Sequence, residues 1–149
     1  MLSSNKLFVV IVGCGRLGSH LANNLSRSGH SIVSIDVNES AFDSLSAEYS
    51  GFRVIGDATE IAVLKQAKAD KADLIIVTTR DDNVNLMISQ IAKRIFHTPK
   101  VMARVFEPKQ EEIYHSFDIE TVCPTFVASE LFLDLITGSL VSDKKGNKE

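Results

Sequence analysis

The sequence predicts an α/β fold built on a doubly wound parallel sheet. Three observations predict it. Short β-branched runs alternate with segments of helical spacing. A glycine-rich turn, Gly13-Cys14-Gly15-Arg16-Leu17-Gly18, follows the first run directly. An acidic residue, Asp36, closes the second run, 18 residues after Gly18.

The strand candidates, in order, are Leu7–Val12, Ile32–Ile35, Phe52–Ile55, Leu74–Val77, Val101–Val105 and a weaker Thr121–Val122. They are nearly continuous apolar runs, as expected of strands covered on both faces. Between them, Leu17, Leu21 and Leu25 recur at helical spacing. So do Val84, Met87, Ile88, Ile91, Ala92 and Ile95, on one helix face. Strands alternating with helices of about 10 to 15 residues read as βαβ units. Right-handed crossovers then give the strand order 3-2-1-4-5-6.

A last helix is expected from Pro124 to Val141, with Pro124 in its first turn. Ala128, Leu131, Phe132, Leu135 and Ile136 form one stripe. Phe126, Leu133 and Leu140 widen it, and only Glu130, Asp134 and Thr137 mark a polar face. That arc is broader than one sheet surface needs. Either its own domain or a second protein surface covers it.

Composition fixes the broad class. The 149 residues fit one domain, 44% hydrophobic and 23% charged, with net charge −3. A nucleic-acid partner is not expected without a basic face. The Lys144–Lys145 and Lys148 cluster belongs to a polar tail. Cys14 and Cys123 lie far apart and form no CxxC, so neither a zinc site nor a disulfide framework is expected. A reducing, cytoplasmic setting fits. No signal pattern opens the sequence, and no apolar run approaches the roughly 18 residues needed to span a bilayer.

The glycine turn carries the chemistry. Gly13 permits a tight turn, Gly15 lets backbone approach a phosphate, and Gly18 lets the helix pack close to the sheet. The helix start presents free N–H groups and a positive dipole end. Asp36 then accepts hydrogen bonds from ribose hydroxyls, and Val37 beside it is a further cofactor-binding candidate. Asp36 also repels a 2′-phosphate, and no arginine follows in Val37-Asn38-Glu39, which disfavours NADP. Arg16 is either a phosphate ligand or a solvated arginine. Cys14 reads as a small loop residue. Asp57, with Glu60 three residues on, reads as a helix cap, and Asp57 or Ala58 as a neighbour of adenine. Thr78 and Thr79 end the fourth strand beside the topological switch, where Thr79 or Asp81 is a capping candidate. Arg104, inside the fifth strand, needs a carboxylate or phosphate partner.

The segments VVIVGCGRLGSHLANNL, VSIDVNE, VIGDATE, DLIIVTTRDDNVNL and VMARV resemble the RCK/KTN (TrkA-N) domain family over roughly residues 6 to 140. These are regulatory subunits of Trk- and Ktr-type potassium uptake systems and ligand-sensing lobes of channel gating rings. The resemblance implies a Rossmann lobe at 1–123, a dimer or ring helix at 124–141 and a polar tail at 142–149. It implies NAD(H), ATP, ADP or AMP as ligand. Gly13, Gly15, Arg16 and Leu17 then hold phosphates and Asp36 the ribose. Asp57 and Ala58 lie near adenine, while Thr78 and Thr79 line the crevice. The implied partners are a membrane potassium transporter subunit, further copies in a homodimer or ring, and a separate two-lobed regulatory subunit. The implied location is the inner face of the cell membrane. Many members carry a second lobe, whereas this sequence stops soon after the expected last helix.

Two other readings compete. An NAD-dependent oxidoreductase needs a substrate domain and a proton-transfer residue facing the nicotinamide. Too few residues follow Val122 for such a domain, and His97 and His115 fall at expected helix ends. A structural adaptor with a vestigial site is opposed by the complete glycine turn and Asp36.

Overall fold

The β-branched run after Leu7 becomes the middle of the sheet. In the computed structural model, which describes residues 5–138, it is strand β1, Phe8–Val12, and Val9, Val10 and Ile11 are fully buried. The other strands are β2 Ser31–Asp36, β3 Phe52–Ile55, β4 Leu74–Val77, β5 Lys100–Arg104 and β6 Glu120–Val122. All neighbours pair in parallel, in the order β3-β2-β1-β4-β5-β6. This is the order the sequence predicts.

The strand faces alternate between two cores, as a two-residue period requires. Val9, Ile11, Ile32 and Ile76 face helix α1, Arg16–Arg27, together with Phe42, Leu45 and Tyr49. Val10, Val12, Ile35, Ile75, Val77 and Val101 face the opposite side. There they meet Leu64 of α2 (Ile61–Gln66), Ile88 of α3 (Asp82–Gln90) and Tyr114 of α4 (Glu111–Ser116).

The crossovers are shorter than expected. β2 returns to β3 through a 3₁₀ turn, Glu39–Ser44, with no α-helix. Its sequence is rich in Ser and Asp, whose side chains compete for backbone groups and disfavour helix interiors. Phe42, Leu45 and Tyr49 still bury and cover that half of the sheet. α2 and α4 have only six residues each. α3 runs on into a π-helical turn, Ile91–Ile95, where the Phe96 amide bonds to Ile91 O at 3.1 Å. The periodic stripe from Val84 to Ile95 spans both.

The last helix, α5, covers Pro124–Thr137 and ends at Gly138, whose φ of +78° reverses the chain. The expected continuation at residues 139–141, and the polar tail, lie outside the described residues. No residue of α5 is buried. Phe132 is 68% exposed and Ile136 78%. Within the described residues, this helix is not packed into its own domain.

Candidate functional site

The glycine turn sits where β1 hands over to α1, at the C-terminal edge of the sheet beside the point where strand order reverses. Gly13 has a φ of +92°, and a Cβ there would meet Thr78 O at 2.9 Å. A Cβ on Gly18 would overlap the Gly13 carbonyl and press on the Thr78 hydroxyl. Both glycines are thus required by the protein's own packing. Gly15 is different. Its φ is −76°, which any residue adopts, and a Cβ would meet nothing within 4 Å. Nothing in the chain demands a glycine there.

No side chain caps the start of α1, and its first turn holds no acid. Its first N–H groups have no carbonyl one turn back to bond. Arg16 is exposed and forms no ion pair among the described residues. Leu17 is half-buried beside it.

Asp36 reaches this turn from the end of β2. Its Oδ2 accepts the Cys14 amide at 2.8 Å and its Oδ1 accepts the Asn38 amide at 2.9 Å. The Gly13 amide donates to Ile35 O at 2.8 Å. The amides of Gly13 and Cys14 therefore serve to lock the turn. Those of the first helical turn are left without a side-chain cap. The Cys14 side chain is buried, and burial first, then the Asp36 charge, pushes its thiol up to about 11. It stays protonated at neutral pH and is inert.

Val37 and Ile55, at the ends of β2 and β3, are 61% and 52% exposed. They offer an apolar rim next to Asp36, whose carbonyl accepts the Gly56 amide at 3.0 Å. Asp57 follows. Its Oδ1 accepts from the Thr59 hydroxyl at 2.7 Å and the Thr59 amide at 2.9 Å. Those bonds, the hydroxyl's first, hold its carboxyl below the usual range. The expected Asp57–Glu60 capping arrangement does not form, because α2 starts later, with Glu60 at the cap position and no side-chain cap bond. Ala58 is buried in the core, so only its backbone can border the crevice.

Thr78 is placed differently from expectation. It is buried, and its hydroxyl donates to Gly13 O at 3.0 Å beneath the turn. It supports the turn from below and does not line the crevice. Thr79 is half-buried, with its amide on Asn85 Oδ1 at 3.1 Å. Asp81, as one reading held, caps α3 by accepting the Asn83 and Val84 amides. Arg104 also differs. Its guanidinium Nη2 donates to Thr78 O at 2.7 Å and Thr79 O at 2.9 Å, so its partners are carbonyls and not a carboxylate.

Two supports escaped the sequence reading. Asn85 is fully buried; its Nδ2 donates to Thr79 O and Arg104 O, both at 3.0 Å. Asp82 accepts the Phe106 and Glu107 amides at 2.8 and 3.0 Å. The only signal for Asn85 is a polar residue within an apolar helical stripe. His115 bonds Thr121 at 2.8 Å on α4 and β6, away from the glycine turn. Two shallow hollows, one beside His115 and one between Phe42 and Arg53, do not include the turn either.

The strand order, the glycine turn at a helix start and the carboxylate on the adjacent strand define a Rossmann-type fold. The TrkA-N domain profile matches residues 9–124, and the chain belongs to that family. It is 33% identical over 116 residues to the Trk system potassium uptake protein TrkA of Streptomyces coelicolor, covering 78% of this chain and 52% of that protein. To the TrkA homolog of Methanothermobacter thermautotrophicus it is 33% identical over 138 residues, 92% of this chain and 63% of that one. The chain thus spans between about half and just under two thirds of these relatives. The GsuK channel, solved bound to NAD, superposes with a TM-score of 0.77 at 26% identity, over 91% of this chain and 24% of that one. GsuK has also been solved bound to ADP. Among the described residues, no helix is long and apolar enough to cross a membrane.

Proposed function

We propose that this domain binds NAD(H) or an adenine nucleotide (ATP, ADP or AMP) and acts as a regulatory gate on a membrane potassium uptake system, not as an enzyme. The observation that carries the reading is Gly15. It is a glycine with no internal reason to be one, at an uncapped helix start, with Asp36 bonded across the same turn. That combination suits a phosphate on the amides of the first turn and a ribose on the carboxylate. Arg16 adds a cation from the side.

NAD and ADP in GsuK, and the potassium-uptake names of the relatives, support the ligand class and the role. Gating works by population shift. Two nucleotides that contact the turn unequally favour different arrangements of the assembly, and the transporter reads the arrangement. Coupling of about 1–3 kcal/mol changes affinity between sites by roughly 5- to 150-fold. The assembly forms through α5, a homodimer or ring in which a second copy, or a two-lobed subunit, covers its apolar face. The protein then works on the cytoplasmic side of the membrane. A dehydrogenase reading would need a proton-transfer group at the crevice, and His115, one of the two histidines considered for it, bonds Thr121 away from the glycine turn.

Isothermal titration with NAD, NADH, ATP, ADP and AMP tests the reading. Binding of at least one in the micromolar range is expected. Asp36→Asn weakens it by about 10- to 100-fold, the worth of a hydrogen bond to a charged group. Affinities no tighter than millimolar for all five would end the proposal.

A further inference from the structure

We infer that Arg104 is a positioning residue that ties the glycine turn to the first turn of α5, so that filling the crevice is felt at the exposed helix. The inference rests on the nucleotide-binding reading above.

On one side, the Arg104 guanidinium holds the carbonyls of Thr78 and Thr79. These are the groups the turn rests on. Thr78 O is what a Cβ on Gly13 would strike, and the Thr78 hydroxyl bonds Gly13 O. Displacing the turn therefore displaces the carbonyls that Arg104 grips. On its other side the guanidinium lies 4.7 Å from the centre of the Phe106 ring. The Phe106 backbone is fixed at both polar atoms. Its amide donates to Asp82 at 2.8 Å, and its carbonyl accepts the Cys123 thiol at 3.8 Å. Cys123 is the residue before α5, and its carbonyl accepts the Val127 amide at 3.0 Å. The route from turn to helix is thus continuous, and each link is a directional contact.

Asn85 makes the route stiff. It clamps Thr79 and the Arg104 carbonyl together, so the ends of β4 and β5 move as one. Arg104 itself is not fully satisfied. Its Nε is buried without a partner among the described residues. A charged donor left unpaired costs free energy that another position can recover.

Hydrogen–deuterium exchange on the full chain, with and without saturating ADP, reads the effect at the amides of Val127–Glu130, and titration calorimetry reads ADP affinity. In the wild type, ADP changes exchange at these amides at least threefold. Phe106 is exposed, and its hydrogen bonds go to Asp82 and Cys123 rather than to the glycine turn, so Phe106→Leu keeps ADP affinity within about twofold and loses the exchange response. Arg104→Gln loses the response and also weakens ADP, because the floor of the turn is no longer held. The relay is overturned if ADP binds the wild type with no change at α5, or if both variants keep the wild-type response. If Arg104→Gln fails to fold, Phe106→Leu decides alone. Failure of ADP to bind the wild type would instead remove the nucleotide reading, and this inference with it.

Discussion

The three glycines of the turn have three separate physical justifications, and substitution separates them. Gly18→Ala forces a methyl into the Gly13 carbonyl, so backbone must shift. The expected cost is about 1–3 kcal/mol, typical of overpacking, seen as a lowered melting temperature. Gly15→Ser meets open space at an ordinary φ. Serine is a better helix cap than glycine, by a few tenths of a kcal/mol. Thermal stability therefore holds or rises, while nucleotide affinity falls at least tenfold because the hydroxyl occupies the phosphate's approach. If Gly15→Ser left affinity unchanged, Gly15 would have no ligand to serve. At this scale the sequence was readable where a residue's role is set by its near neighbours along the chain. Gly13, Gly18 and Asp36 are of that kind. Arg104 was not. Its need for a partner is evident from charge and burial, but the partner is a pair of carbonyls on β4. Carbonyls leave no trace in a sequence, whereas a carboxylate or a phosphate site does.

Helices and strands were legible in proportion to their periodicity. β1, β2, β4 and α1 fall within a residue or so of the runs that predict them. The 3₁₀ crossing at Glu39–Ser44 was not legible, because three well-spaced apolar residues in a Ser- and Asp-rich segment bury without a helix. Capping was legible only as a choice between alternatives. Asp57 and Asp81 both precede helical segments, yet Asp57 bonds Thr59 and Asp81 caps α3. The distinction has a measurable consequence for the element. Asp81→Ala frees two helix-start amides and is expected to cost about 1 kcal/mol. Asp57→Ala touches only an exposed turn and should stay within about 0.5 kcal/mol. Denaturant melts of the two variants, compared at equal slope, check the order. A larger loss for Asp57→Ala would mean that the turn after β3, and not the start of α3, carries the capping energy.

At the scale of the domain, α5 is a helix that the core of the described residues does not use. Phe126, Leu131, Phe132, Leu133, Leu135 and Ile136 are each at least about half exposed on α5. An exposed apolar surface of this extent is the mark of an interaction site. Covering it recovers about 25 cal/mol for each Å² of apolar area, and a stable interface needs roughly 1,000 Å² or more in total. A second copy is the simplest cover, since a two-fold contact uses the same patch twice. The prediction is that the chain sediments as a dimer or larger at micromolar concentration. Phe132→Glu with Ile136→Glu shifts it to monomer. Neither residue is buried in the domain, so the circular dichroism spectrum remains as in the wild type, while the melting temperature falls only by the association that is lost. A wild type that stays monomeric into the high micromolar range would mean that α5 waits for a different protein. A double variant that unfolds would mean that α5 stabilises the domain by a contact other than the one between copies.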